Sequence, residues 1–276
     1  MSKELPVEST KPFLRWAGGK RWLIKHISKI KELDIDTYYE PFLGGASIFF
    51  DINNYNNATL SDLNFDLIET YSCVRDNLES IIKILEKLKN TEEEYYKIRN
   101  AHFEDPFERA AKFIFLNRTS FNGIHRVNRK GEFNVPYGFR SQIVDVADRN
   151  NLELASKKLQ NVTLKSQDFF DISKTIKKGD FIFLDPPYTV AHENNGFIQY
   201  NQKIFSLDDQ IRLSKLIEII NDIGAYYILT NAKHDAILEI YKNIDTPIVL
   251  SRNSRVGGVG ARREIFNEYI FSNCLY

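Results

Sequence analysis

Short apolar strands alternate with amphipathic helical stretches at both ends of the chain, and this alternation limits the fold more than any other feature of the sequence. Residues 38–42, 58–60, 162–164, 181–184 and 226–229 read as strands, several of them rich in β-branched or aromatic side chains. The clearest helix covers 208–223, where Leu213, Leu216, Ile217 and Ile220 share one face and Gly224 supplies a C-terminal stop. Strand and helix in alternation predict an α/β fold with a mostly parallel sheet covered on both faces. A chain of 276 residues can bury a substantial core, as one large domain or two smaller ones.

The middle breaks the alternation. From 64 to about 115 the pattern is helical, with Ile81, Ile84, Leu85 and Leu88 at core spacing, and NTEEE at 90–94 begins a new helix. Then comes NRTSFNGIHRVNRKGEFNVPYG, 117–138, with Gly, Asn and Pro punctuation and no helical period, which predicts a loop or hairpin. This stretch reads as an insertion carried by the sheet. Lysine plus arginine and aspartate plus glutamate both number 37, so net charge points to no polyanion. Between 111 and 140, however, Lys112, Arg118, Arg126, Arg129, Lys130 and Arg140 face Glu132 alone. Such a local excess is either the electrostatic footprint of a nucleic-acid site or a solvated basic surface.

No apolar run approaches a membrane span, and the opening MSKELPVESTKP is polar rather than a signal peptide, so a cytoplasmic protein is expected. Cys73 and Cys274 lack metal or redox spacing and are expected to be buried apolar fillers. No metal site is expected.

Three short stretches carry chemistry. FIFLDPPY, 181–188, ends an apolar strand with Asp185, Pro186, Pro187 and Tyr188. Proline has no N–H and a fixed φ, so the doublet terminates the ladder and aims its carbonyls and the following ring. Asp185 falls at a strand's carboxyl end, where open α/β sheets bind ligands, although a proline turn with a solvated acid has the same residues. YYEPFLGGAS, 38–47, is a strand followed by Gly44 and Gly45 and a helix start, and Asp62 in ATLSDLN lies 17 residues beyond Gly45, placed to bond ribose hydroxyls. It is not the GxGxxG fingerprint, which weakens a nicotinamide reading. KPFLRWAGGKRWL, 11–23, is not a phosphate loop, which disfavours ATP hydrolysis; Trp16, with Gly18, Gly19 and Lys20, can offer an apolar wall and a cation to a cofactor carboxylate.

The order WAGGK, EPFLGG, SDLN, a long insertion and then DPPY resembles the DNA adenine methylase family, the S-adenosylmethionine-dependent N6-adenine methyltransferases whose recognition domain is inserted before the DPPY motif. The resemblance spans roughly 11–188, is weaker in NSRVGGVGARREIFNEYIFSN, and departs in NNGFIQYN after DPPY. It implies a Rossmann-like methyltransferase sheet, mostly parallel with one antiparallel strand, and a smaller, mainly helical inserted DNA-recognition domain carrying a hairpin. Residues 1–63 and 146–276 would form the catalytic domain and 64–145 the insertion.

The resemblance further implies that Trp16, Gly18, Lys20, Phe42, Gly44, Asp62, Asp168, Phe169 and Asp185 bind the cofactor, and that Asp185, Pro186, Pro187 and Tyr188 are catalytic. Arg15, Asn117, Arg118, Phe121, Asn122, Ile124, Arg126, Asn128 and Pro136 would contact duplex DNA, with Phe121 as a wedge and Arg126 reading guanine. GATC is the target that this likeness implies, and a restriction endonuclease acting on the same site is an implied partner. Methylation of RNA or of cytosine N4, and a non-catalytic DNA-binding regulator on the same scaffold, remain open.

Overall fold

Strand β4 (Phe181–Leu184) is buried at all four positions, because it lies in the interior of a sheet with neighbours on both edges. The computed structural model describes residues 10–128, 131–139, 145–189, 205–253 and 265–275. The other strands are β1 (Ile35–Glu40), β2 (Tyr55–Asp62), β3 (Val162–Ser166), β5 (Tyr226–Ala232), β6 (Ile248–Asn253) and β7 (Ile265–Ser272), in the order β3-β2-β1-β4-β5-β7-β6. Pairs β1–β2, β1–β4 and β4–β5 are parallel, and β7 runs antiparallel to both β5 and β6. The expected mostly parallel sheet with one antiparallel strand is therefore present. Strand β1 begins and ends earlier than expected, because Pro41 and Phe42 already belong to the turn.

By contacts the chain divides into two compact units. The first comprises Met1–Ile24, Gly44–Asn53 and Asp62–Ser166, and the second Lys25–Leu43, Asn54–Ser61 and Gln167–Tyr276. In the second, helix α6 (Leu207–Ile223) lays Leu213, Leu216, Ile217 and Ile220 against Ile182, Leu184, Tyr227 and Leu229. A reciprocal capping box of Ser206 and Asp209 starts this helix, and Gly224 in the left-handed region (φ 79°) ends it. Helix α7 (Asp235–Tyr241) contributes Ile237 and Tyr241 to the same core.

In the first unit, helices α1 (Phe65–Asp76), α2 (Leu78–Leu85), α3 (Glu92–Asn100) and α4 (Pro106–Thr119) form the helical block, joined by α5 (Arg149–Leu159). Asn64, Asn77, Thr91 and Asp105 each cap a helix through a side-chain oxygen, which is why the asparagine-rich and acidic breaks fall between helices. Helix α2 stops at Leu85, so Ile82 joins Ile81 and Leu85 in the core, while Ile84 and Leu88 stay partly exposed. After α4 the chain forms a narrow hairpin whose arms meet at the antiparallel bridges Ser120 with Tyr137 and Val127 with Phe133. Among the described residues no helix is long and apolar enough to cross a membrane, and no group of His, Cys, Asp or Glu has metal-binding geometry.

Candidate active site

In the second unit the site begins where β4 stops. Asp185 follows Leu184, and its Oδ1 accepts a hydrogen bond from the hydroxyl of buried Thr230 on β5 at 2.6 Å. The Tyr188 hydroxyl donates to Oε2 of Glu268 at 2.6 Å, and Glu268 lies fully buried on β7. Thr189 is tied down in turn: its hydroxyl accepts from Gln210 Nε2 at 3.0 Å, and Gln210 Oε1 accepts from Asn231 at 3.0 Å and from Tyr241 at 2.7 Å. These groups are buried, so each bond also removes the penalty of an unsatisfied polar atom. Burial pushes the Tyr241 hydroxyl far above the usual phenol range, which keeps it a neutral donor.

The same unit carries an aromatic cluster. Phe42 stacks on Phe169 with centroids 5.2 Å apart, and Phe205 meets Phe42 edge-on. The Arg212 guanidinium lies 4.9 Å over the Phe169 ring and bonds Asp168 at 2.7 Å. Asp168 also accepts from the Phe170 N–H and so starts a short helical turn. Phe42, Asp168 and Phe169, distant in sequence, thus come together.

In the first unit Asp62 fixes the glycine turn. Its two oxygens accept from the N–H groups of Gly44 at 3.1 Å and Asn64 at 3.0 Å, and burial raises its pKa above the usual carboxylate value against those bonds. Gly44 has φ 46°, and a Cβ there would lie 2.6 Å from Trp16 Cδ1, so only glycine admits the indole. Trp16 stacks on His125 at 5.1 Å, and His125 stacks on Phe113 at 5.0 Å. Lys20 is buried, and its ammonium donates to the Gly18 carbonyl at 2.9 Å.

Asn117 is buried, with its carbonyl accepting from the Arg15 N–H and its amide donating to the Arg15 carbonyl, both at 2.8 Å. Those two bonds make it the clamp that presents Arg15. Gly123 (φ 64°) packs against the stem of Arg15, where a Cβ would come within 2.4 Å. On the hairpin, Phe121, Asn122, Arg126 and Pro136 are exposed, and Ile124 and Asn128 are partly so. Arg126 donates to the Asn134 side chain at 2.8 Å, and Asn128 donates to Glu132 at 2.8 Å. Arg118 pairs with Asp148 at 3.3 Å and, with Lys11, Arg15 and Arg21, lines a cleft of about 530 Å³. Arg129, Lys130, Arg140 and the NNGFIQYN stretch lie outside the described residues.

Thr230, Glu268, Gln210, His125 and Arg212 were not legible as site residues. Each acts through a partner distant in sequence, and nothing in its own neighbours marks it.

Comparison with known proteins gives the family. Residues 16–254 match the model of the D12 class N6 adenine-specific DNA methyltransferases. The type II methyltransferase M.MjaIII of Methanocaldococcus jannaschii is 35% identical over 265 residues, covering 88% of this chain and 91% of that protein. M1.LlaDCHI of Lactococcus lactis subsp. cremoris, also a type II methyltransferase, is 32% identical, covering 95% of each chain. The DNA adenine methylase of Escherichia coli K12 is 28% identical, covering 94% of each. The chain belongs to the D12 class of N6 adenine-specific DNA methyltransferases. It is an enzyme whose substrate is DNA and whose methyl donor is S-adenosylmethionine. Of the alternatives that the sequence left open, RNA, cytosine N4 and a non-catalytic regulator, the family match supports none.

Proposed function

We propose that this enzyme methylates N6 of adenine within GATC in duplex DNA, acting on a base turned out of the helix. The reading is carried by the hairpin surface, where Phe121, Asn122, Arg126 and Pro136 stand exposed beside the clamp that presents Arg15. The DNA adenine methylase among the relatives adds weight to it. Residues 64–145 serve recognition, and 1–63 with 146–276 serve catalysis.

The adenine amino group is a poor nucleophile because its lone pair is delocalised into the ring. Asp185 accepts one amino hydrogen and the Pro186 carbonyl the other, which makes the nitrogen more tetrahedral and aims it. Pro187 holds the turn, and Tyr188 stacks on the extruded adenine for about 1–3 kcal/mol. Turning the base out costs a few kcal/mol, which Phe121 offsets by filling the vacated stack. Arg126 and Arg15 read base edges, with Asn122, Ile124, Asn128 and Pro136 alongside. Arg118 and the basic cleft attract phosphates.

The cofactor supplies an electrophilic methyl group on a sulfonium centre. The residues present suit such a group: in the first unit Asp62 would bond ribose hydroxyls, Gly44 leaves room where a side chain would collide, Trp16 would offer an apolar face and Gly18 and Lys20 would meet a carboxylate; in the second unit Phe42, Asp168 and Phe169 would flank an adenine.

Two relatives are named type II methyltransferases, and on that ground the enzyme protects DNA against a cognate restriction endonuclease of the same specificity. Mapping N6-methyladenine in DNA from a methylation-free host expressing the chain tests the target. Modification confined to GATC supports it, and modification at another sequence with GATC untouched sinks it.

A further inference from the structure

We propose that Thr230 is a positioning residue for methyl transfer, whose hydroxyl fixes the rotation of the Asp185 carboxylate and so aims the oxygen that takes the amino hydrogen. This rests on the reading of Asp185 as the acceptor.

A carboxylate turns about a terminal sp³–sp² bond, where torsional preference is broad, so the strand end alone does not set its plane. The sheet register supplies a constraint. Strands β4 and β5 are parallel with Leu184 opposite Leu229, which brings the next residue of β5, Thr230, beside Asp185. Its Oγ1 reaches Asp185 Oδ1 at 2.6 Å from a fully buried position. In a strand interior a threonine hydroxyl can serve packing alone. Here it is directed at the one carboxylate of the DPPY motif.

The adjacent residue extends the arrangement. Asn231 donates to Gln210, and Gln210 donates to Thr189, so both ends of the segment Asp185 to Thr189 are tied to consecutive residues of β5. Strand β7 backs Thr230 through its pairing with Ile270. Since a productive geometry tolerates only about 10–20° of error, removing the hydroxyl is expected to loosen the acceptor enough to slow the reaction.

The test uses the full chain in single-turnover methyl transfer to a duplex, with cofactor and DNA affinities measured in parallel. Thr230→Val keeps the shape and loses the hydroxyl, Thr230→Ser does the reverse, and Thr230→Ala loses both. Valine and alanine are expected to slow transfer about tenfold to a hundredfold with affinities within about twofold of the parent, and serine to stay within about threefold of the parent rate. A parent rate for Thr230→Val, or a loss for Thr230→Ser equal to that for Thr230→Ala, overturns the proposal. Asp185→Ala separates the two readings. If it still transfers methyl groups, the acceptor assignment fails; if it is inactive while Thr230→Val matches the parent, only the role of Thr230 fails.

Discussion

Asp185 is fixed by a hydrogen bond from buried Thr230 and Tyr188 by one that it donates to buried Glu268, whereas Trp16 and Arg15 are fixed by glycines too small to obstruct, a stacked histidine and an asparagine clamped on main chain. The first arrangement is directional and makes acceptor angles precise. The second combines shape with an asparagine bonded to main chain, and it leaves Arg15 exposed. On the proposed roles, the residues assigned to chemistry are held by directional bonds between side chains, and those assigned to binding by glycine clearance, ring stacking and a side chain clamped on main chain. Changes in the first are expected to act on rate and those in the second on affinity.

The hardest test of that division is Asp185→Ala, expected to lower turnover by about 10³-fold with DNA affinity retained in a gel-shift assay. Equal losses in both would erase the distinction. Gln210→Leu strands the partners Asn231, Tyr241 and Thr189 in the interior, and denaturant unfolding is expected to show a loss of about 3 kcal/mol. Gly44→Ala places a methyl group against the Trp16 indole at a positive φ, and calorimetry is expected to show cofactor binding weakened by about 2 kcal/mol. Arg126→Ala is expected to cost about 1–3 kcal/mol of discrimination between GATC and a duplex altered at the guanine, with single-turnover rate at saturating DNA preserved.

The smallest effect concerns His125, whose pKa burial pulls below the usual histidine value. The unfolded chain takes up a proton at this residue from about pH 6.5 downward, while the folded chain resists it. Its cost is thus absent above that pH and grows as the solution is acidified towards the folded-state pKa. His125→Phe, which keeps the stack, is expected to flatten the fall in unfolding free energy between neutral and acidic buffer by less than about 1 kcal/mol.

Much of the sheet could be read directly. Residues 181–184 are apolar because the strand is covered on both faces, and the helix on 208–223 declares itself by its apolar spacing and Gly224. Strands β6 and β7 did not, since in β7 the run Tyr269, Ile270 and Phe271 is buried on both faces and follows a buried Glu268, so no alternation survives. Asp185 and Tyr188 follow a strand end among prolines, and Asp62 ends a strand 17 residues after Gly45, so their surroundings in sequence announce them. Thr230 reads as an ordinary β-branched strand residue and Gln210 as an ordinary helical one. Their roles come from partners 45 and 21 residues away, a relation that only the folded chain creates.

The position of β7 also has a consequence in time. Although its residues follow all other strands in sequence, it lies between β5 and β6, so β6 is made before its neighbour in the sheet exists. A nascent chain carries the whole DPPY motif roughly eighty residues before Glu268 is synthesised to meet Tyr188. During that interval Tyr188 lacks its buried partner, and the contact forms only when Ile265–Ser272 takes its place between β5 and β6.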